Sequence, residues 1–196
     1  MIEWDVIRSD IIIGTHPQDA SDIDTIAGET GATAVLNVQH PEGIEAMDVP
    51  LEQIRRRARA NRLKYVHSPM RDFDPQNQRE TLPDAIRALS GLLQQDHSAY
   101  VHCTAGVNRS PLVVLGYLVF VEGMKKGQAL NLILNARPQA RPYMDVFEQV
   151  QRDLLRQHEQ EIRRRAYQLH TTGANEYPDE DWLQAQKDVL REVLSP

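Results

Sequence analysis

His102-Cys103-Thr104-Ala105-Gly106-Val107-Asn108-Arg109-Ser110 is the stretch that decides the fold, because it holds the only cysteine of the chain between two apolar runs of different kinds. The preceding run, 98–101, is short and predicts a buried strand. The following run, 111–121, has a proline in its first turn and predicts a helix. The stretch is therefore a predicted strand-to-helix loop, whose backbone N–H groups and helix macrodipole converge on one point and favour an anion there.

The same loop carries a candidate nucleophile and a candidate anion clamp. The field that attracts an anion also lowers the pKa of a cysteine at the mouth of the loop, so we expect Cys103 to be a thiolate at neutral pH. Arg109 lies six residues on, and its planar guanidinium suits bidentate contact with phosphoryl oxygens. A lone cysteine is often only a small buried hydrophobe. The spacing of His, Gly, Arg and Ser around Cys103 favours a catalytic loop instead.

The other loop residues are expected to bind the phosphate or to hold the loop in place. Gly106 gives the backbone the freedom to approach a ligand closely. Ser110 is expected to donate a hydrogen bond to the cysteine sulfur, to cap the following helix, or to do both. His102, at the strand end, is expected to hold the loop rather than to transfer a proton. The candidate phosphate-binding residues are Thr104, Ala105, Gly106, Val107, Asn108 and Ser110.

A second chemical group is needed, because a thiolate that displaces a phosphate ester requires a proton donor for the leaving oxygen and then a base for water. One carboxyl group on another loop can serve both steps. The segment Met70-Arg71-Asp72-Phe73-Asp74-Pro75 offers two candidates. Asp72 is the first choice, and Asp74 is the second because it precedes a proline and can instead shape the turn. The alternative is that both are ordinary loop acids.

Composition excludes several classes of protein. A chain of 196 residues with one cysteine predicts one main domain without a disulfide framework, in a reducing compartment. Residues 1–10 lack an apolar signal region, and the longest apolar run, 112–121, is about half the length that crosses a bilayer, so we expect a cytoplasmic protein without a membrane partner. A net charge of −6 argues against nucleic acid. The seven histidines show no metal-ligand spacing, so no metal or other cofactor is implied.

Apolar patterning predicts an α/β fold with a central, mostly parallel sheet flanked by helices and a helical C-terminal tail. Ligands bind beyond the carboxyl ends of the strands in such sheets. We expect a catalytic domain over 1–165 and, over 166–196, a linker centred on 170–178 and a helix that docks on the domain. The predicted strands are 10–14, 34–38, 64–67 and 98–101, and the long loop after the third is 68–78. The predicted helices are 21–30, 51–61, 82–95, 110–122, 125–136, 143–165 and 181–194.

With Asp72 about thirty residues before Cys103, the chain resembles the cysteine-dependent dual-specificity phosphatases, and within them the starch-excess type glucan phosphatases of plants. The resemblance covers about 6–154 and is carried by 12–18, 22–24, 35–39, 71–75 and 100–106. It implies that Cys103 is the nucleophile, Arg109 the phosphate clamp and Asp72 the general acid, and it implies a sugar contact at Phe73. That ring can instead pin its loop to the core. The chain departs from the glucan enzymes at Asn108, where they have glycine, and at 46–47, near which they carry an aromatic pair.

These residues predict a phosphomonoester hydrolase that works through a cysteinyl phosphate. The resemblance favours a phosphorylated glucan as substrate, and the alternative is a phosphoprotein carrying phosphotyrosine, phosphoserine or phosphothreonine. The loop has no lysine, and its one arginine is the clamp, which argues against a phosphoinositide. A module that binds a phosphorylated ligand without turnover is the third reading, although it would need no nucleophile. The sequence does not define an oligomeric state.

Overall fold

A computed structural model of the chain describes residues 2–173, 175 and 177–196, and its centre is a five-stranded sheet. The strands are β1 (Trp4–Arg8), β2 (Ile11–Gly14), β3 (Ala34–Gln39), β4 (Lys64–Met70) and β5 (Ala99–His102). Their order across the sheet is β1-β2-β5-β3-β4. Strand β1 is antiparallel to β2, and all other neighbours are parallel, so β2, β3, β4 and β5 end at the same edge.

Helices cover both faces of this sheet. Within the described residues the α-helices are α1 (Ala20–Glu29), α2 (Pro41–Ala46), α3 (Leu51–Ala60), α4 (Pro75–Leu93), α5 (Arg109–Gly116), α6 (Lys126–Ala136), α7 (Met144–Gln157), α8 (Glu159–Thr172) and α9 (Pro178–Leu194). A π-helical turn, Tyr117–Val121, continues α5. None of these helices is both long and apolar enough to span a membrane, in the part of the chain that the structure describes.

Every residue of the central strands β3 and β5 is buried, as expected for parallel strands covered on both sides. Alternate residues serve opposite faces. Leu36 and Val101 pack in the larger core beneath α4, α5 and α7. Val35 and Tyr100 pack in the smaller core with the buried residues of α1 and α3. The predicted α/β class is therefore confirmed, with helices on both faces of a mostly parallel sheet.

The predicted loop 68–78 is wrong in its length. Strand β4 continues to Met70, and α4 begins at Pro75, where a helix tolerates proline because its first N–H has no intrahelical partner. The Asp74 carboxylate caps this helix by accepting the N–H of Asn77 at 2.9 Å. Only residues 71–74, here called the acid loop, connect the strand to the helix.

Other boundaries also differ from the predicted ones. The predicted helix 143–165 is two helices, α7 and α8, which meet at His158. Strand β1 and helix α2 lie outside the predicted elements. Helix α2 has only six residues, which is too short for a helical period to show in the sequence. Helix α4 begins seven residues before the predicted start at 82.

The C-terminal helix docks on the domain, as its apolar positions indicate. Helix α8 runs through residue 165, so the chain turns only at Gly173, which has a φ of 65°. In the predicted linker 170–178, residues 174 and 176 lie outside the described residues. Helix α9 packs Ala185 and Val189 against Ile162, and Arg191 donates from Nε to the carbonyl of Val121 at 2.8 Å. The division of the chain at 165 and 166 stays a prediction.

Candidate active site

Strand β5 and helix α5 position the loop of residues 103–109, here called the cysteine loop. It begins directly after the buried end of the central strand β5, and Arg109 is the first residue of α5. All eight residues of α5 are buried, so the start of this helix is fixed by the core. The loop thus lies at the carboxyl edge of the parallel strands, where α/β proteins bind their ligands.

Four consecutive carbonyl groups of the cysteine loop point away from its interior. A planar trans peptide unit points its N–H opposite to its C=O, so the four amides that follow these carbonyls face inwards, as an anion site requires. Two of the donors that hold the carbonyls are backbone amides, and one is an arginine side chain that holds two carbonyls. The pairs are His16 N to Thr104 O at 3.0 Å, Arg137 Nη2 to Ala105 O at 3.0 Å, Arg137 Nε to Gly106 O at 2.7 Å and Arg141 N to Val107 O at 2.6 Å.

Glycine is required at position 106. Its φ of 65° lies in the left-handed region, and a Cβ there would approach the carbonyl oxygen of Gly14 to 2.6 Å and Nη2 of Arg137 to 2.9 Å. The close approach at Gly106 is to the end of β2 and to Arg137, and the expected approach to a ligand stays a prediction.

The Cys103 thiol is almost completely buried, with 2% of its surface exposed. Burial raises its pKa, but the charge of Arg109 and the hydrogen bonds from Ser110 and from the Gly106 N–H outweigh burial, so the pKa lies below its ordinary value. The Ser110 hydroxyl donates to Sγ at 3.4 Å. These contacts favour the thiolate, which is the nucleophilic form of cysteine.

The expectation that Ser110 caps the following helix is wrong. Ser110 is the second residue of α5, so it does not cap the helix; the cap position falls on Asn108, whose side chain makes no capping hydrogen bond. The Asn108 side chain instead donates from Nδ2 to the carbonyl of Arg141 at 3.1 Å. It therefore ties the loop to the segment between α6 and α7.

The guanidinium of Arg109 joins the cysteine loop to the acid loop. Nη2 donates to Asp72 Oδ2 at 2.5 Å and to Thr104 Oγ1 at 3.0 Å, and Nη1 donates to the carbonyl of Met70 at 3.0 Å. Its Nε is buried and has no hydrogen-bond partner among the described residues. A buried donor of this kind is costly unless it finds an acceptor, and a phosphoryl oxygen is a suitable one.

The acid loop separates its two carboxylates. Asp72 faces Arg109, whereas Asp74 is occupied in capping α4. Phe73, between them, is 83% exposed and has a φ of 54°, which is strained for an aromatic residue. The alternative that Phe73 pins the loop to the core is therefore wrong.

A cavity of about 380 Å³ opens at the mouth of the site between α2, the acid loop and the cysteine loop. Its wall includes Ala46 and Met47 but no Phe, Tyr or Trp among the described residues, so the absence of an aromatic pair noted in the sequence is visible here. Both carboxylates and guanidinium groups line it. The lining residues are His40, Glu42, Gly43, Ala46, Met47, Arg71, Asp72, Asp74, Thr104 and Arg109.

The sequence pattern does not reveal the side chains that hold the cysteine loop from behind. Arg137 is the clearest case, since it precedes a proline at the end of α6 and is distant in sequence from Cys103. Gln39 is another, donating from Nε2 to Thr104 Oγ1 at 3.3 Å. Neither stands at a spacing that a local motif uses. Among the described residues, no three His, Cys, Asp or Glu side chains group as a metal site.

His102 supports the loop from inside the core, and it predicts a pH dependence of stability. Burial lowers its pKa to about 3, whereas an unfolded histidine has a pKa of about 6.5. Between these values the unfolded chain binds the extra proton, so the free energy of unfolding falls as the pH falls through this window. We expect His102→Gln to flatten that slope in denaturant titrations, whereas His158→Gln leaves it in place. Equal slopes for wild type and His102→Gln would contradict the assignment.

A cysteine thiol of lowered pKa beside inward-facing amides, at the carboxyl edge of a parallel sheet, places the chain in the class of cysteine-dependent phosphatases. The chain belongs to the dual specificity phosphatase family, since residues 18–160 match the description "Dual specificity phosphatase, catalytic domain".

Curated relatives include two proteins of about 30% identity. One is "Phosphoglucan phosphatase DSP4, amyloplastic" of Castanea sativa, 30% identical over 79% of this chain and 41% of the relative. Another is laforin of Mus musculus, 29% identical over 75% of this chain and 48% of the relative. The chain thus spans less than half the length of these relatives.

Solved structures show the same fold at lower identity. The protein Tk-PTP, crystallised in its active form, superposes with a TM-score of 0.60 at 20% identity over 77% of this chain and 95% of that one. Human DUSP28 superposes with a TM-score of 0.56 at 20% identity over 76% of this chain and 93% of that one. The family and the fold therefore agree with the resemblance that the sequence carries.

Proposed function

We propose that the chain hydrolyses phosphate monoesters through a covalent cysteinyl phosphate. The observation that carries this proposal is the Cys103 thiol, whose pKa lies below its ordinary value while four loop amides face the same interior. The amides supply hydrogen bonds to the phosphoryl oxygens, and Arg109 supplies positive charge. No metal is needed for this chemistry, because the fixed dipoles and the guanidinium compensate the charge of the transition state.

In the first step, Sγ of Cys103 attacks phosphorus, and the bond from phosphorus to the ester oxygen breaks. The leaving oxygen takes the proton of the Asp72 carboxyl group, so that an alcohol departs and Asp72 becomes a carboxylate. Arg109 binds equatorial oxygens of the phosphoryl group, using the Nε that has no partner in the described structure.

In the second step, the Asp72 carboxylate accepts a proton from water, and the water oxygen attacks phosphorus. The bond between sulfur and phosphorus breaks, inorganic phosphate leaves and the thiolate returns. The Ser110 hydroxyl, which donates to Sγ, stabilises the charge that develops on the departing sulfur.

The ion pair between Asp72 and Arg109 must open, and the freed Asp72 carboxylate must take up a proton from solvent, for this cycle to begin. The Asp72 carboxylate occupies Nη2 of Arg109 at 2.5 Å, and a carboxylate engaged in this way competes with a phosphoryl group for the same donor. The acid loop is short and strained at Phe73, so a small movement of residues 71–74 would exchange one anion for the other.

We propose a phosphorylated glucan as the substrate. Two relatives bear the name phosphoglucan phosphatase, one of Castanea sativa and one of Arabidopsis thaliana, the latter 27% identical over 60% of this chain. The exposed Phe73 ring beside Asp72 is the feature of this chain that suits a sugar face, because aromatic rings pack against the apolar C–H surface of sugars.

A phosphoprotein is the second candidate, and the wall of the mouth cavity is the observation that favours it. Ala46 and Met47 offer no ring for a sugar. Relatives named dual specificity protein phosphatase include Mpk3 of Drosophila melanogaster, 30% identical over 45% of this chain. The third reading, a binding module without turnover, is disfavoured because the nucleophile, the arginine and the acid are all present.

A direct comparison of substrates tests this choice. We expect phosphate release from phosphorylated amylopectin with a higher kcat/KM than from phosphopeptides. Phe73→Ala is expected to lower kcat/KM for the glucan by roughly 2- to 10-fold and to leave hydrolysis of an aryl phosphate unchanged. Tyr167→Ala is the matched control, since Tyr167 is also an exposed aromatic residue but lies on α8. Efficient release from phosphopeptides with none from the glucan would reject the glucan and leave the phosphatase reaction standing.

A further inference from the structure

Arg137 is a fully buried arginine whose side chain donates hydrogen bonds to the cysteine loop. It is 1% exposed. Nε donates to the carbonyl of Gly106 at 2.7 Å, Nη2 donates to the carbonyl of Ala105 at 3.0 Å, and Nη1 donates to Asp5 Oδ2 at 2.6 Å. Burying a guanidinium group carries a large desolvation cost. Its three directed hydrogen bonds therefore indicate that Arg137 holds its partners in a defined geometry.

The two carbonyls define the orientation of two amides. The Ala105 C=O and the Gly106 N–H belong to one planar peptide unit, so holding the carbonyl outwards turns the N–H inwards. That N–H contributes to lowering the pKa of the Cys103 thiol. The Gly106 C=O and the Val107 N–H form the next unit, and the same argument turns the Val107 N–H towards the interior of the loop.

We propose that Arg137, held by Asp5, is a positioning residue that orients these two peptide units for the thiolate and for the phosphoryl group. The inference rests on the proposed function, because it assigns a residue to that reaction. Arg137 contacts neither the sulfur nor the phosphate; it acts through the loop amides. Without it, the peptide units between residues 105 and 107 are free to rotate, and Gly106 resists such rotation less than any other residue.

Asp5 brings the first strand into the site. It lies on β1, opposite Ile13 of β2, and therefore precedes residues 18–160, which match the family. Its carboxylate supplies the negative charge that a buried guanidinium needs, and it fixes Nη1. Nε and Nη2 therefore stay directed at the carbonyl groups of Gly106 and Ala105. Strand β1 thus contributes to the geometry of the cysteine loop as well as to the sheet.

A merely stabilising arginine predicts a different result, and Arg8 provides the matched control. Arg8 is also a residue of β1 and is partly buried, and its guanidinium pairs with two carboxylates, Asp10 and Glu122. Within the described part of the chain, its side chain donates hydrogen bonds to these two carboxylates and to no residue of the cysteine loop. Arg8→Met therefore removes a comparable ion pair from the fold and leaves the loop amides untouched.

The experiment measures the thiolate and the anion site without turnover. Cys103 is the only cysteine, so the pH dependence of alkylation by iodoacetamide reports its thiol pKa alone. Inorganic phosphate is the probe for the anion site, titrated at fixed ionic strength. We expect Arg137→Met to raise the thiol pKa and to weaken phosphate binding on the order of tenfold. Asp5→Asn should shift both in the same direction by less, and Arg8→Met should lower the melting temperature but shift neither.

The outcomes separate the alternatives. An unchanged thiol pKa and phosphate affinity in folded Arg137→Met, or equal shifts in Arg8→Met, overturns the positioning role. If Arg137→Met does not fold, Asp5→Asn decides, because its side chain is 34% exposed and its removal leaves no empty core. Wild-type protein that binds phosphate but hydrolyses no phosphate ester would refute the proposed function, while the shifts in the variants would still test the role of Arg137.

Discussion

Cys103→Ser is expected to lower kcat for every phosphate monoester on the order of 10⁴-fold or more. The structure lowers the pKa of the Cys103 thiol through Arg109 and the loop hydrogen bonds, and these act against the cost of burial. A serine hydroxyl at the same place stays protonated, because the same contacts cannot bring its much higher pKa near neutrality. The change therefore removes the nucleophile and leaves the rest of the site in place.

Binding measurements distinguish this result from loss of the fold. Arg109 and the inward-facing amides are unchanged in Cys103→Ser, so inorganic phosphate should bind with an affinity close to that of the wild type, and the thermal unfolding midpoint should be preserved. Incubation of the wild-type protein with substrate followed by rapid acid quench should show a phosphoryl group on the peptide that contains Cys103. Full activity in Cys103→Ser would refute the covalent mechanism.

Local chemistry explains why so much of the cysteine loop could be predicted from the sequence. The nucleophile, the arginine and the glycine are all placed by short-range geometry, in a loop whose flanking strand and helix show clear apolar runs. The same reasoning predicts the parallel sheet, since strands that alternate with helices need crossover connections. Those inferences depend on neighbours in the chain.

The parts that could not be predicted depend on contacts between distant segments. Arg137 and Asp5 meet across 132 positions of sequence, and each is an ordinary charged residue in its local context. The predicted boundary of the acid loop was wrong for a related reason. Asp74 and Pro75 start a helix here, but the same two residues are equally typical of a turn. Strand β1 was missed because only Ile7 of its five residues is buried, so its sequence shows neither an apolar run nor a clear alternation.

The second expected result concerns the choice between Asp72 and Asp74. Asp72→Asn should lower kcat by about 10²- to 10⁴-fold for esters with poor leaving groups, and by less for aryl phosphates with good ones. The reason is that an amide cannot give a proton to the leaving oxygen, and a good leaving group needs none. A plot of log kcat against the pKa of the leaving alcohol should become steeper in the variant.

Asp74→Asn is the matched control, because it removes one negative charge two residues away from Asp72. Asparagine is as good a helix N-cap as aspartate, so the hydrogen bond to the Asn77 N–H is kept and α4 still begins at Pro75. We expect turnover and the unfolding midpoint to stay near those of the wild type. A steep leaving-group dependence in Asp74→Asn, with none in Asp72→Asn, would move the general acid to Asp74.

The ion pair with Arg109 adds a second and opposite effect to Asp72→Asn. In the described structure the Asp72 carboxylate accepts a hydrogen bond from Nη2 of Arg109. Phosphate therefore has to displace this carboxylate before it can accept hydrogen bonds from both Nη2 and Nε. Removing the negative charge should therefore tighten inorganic phosphate binding severalfold in the same variant that loses turnover. Loss of turnover with unchanged phosphate affinity would mean that Asp72 supplies a proton but does not compete for the arginine. Tighter binding together with slower turnover is the combination expected of a carboxyl group that holds Arg109 before substrate arrives and protonates the leaving oxygen afterwards.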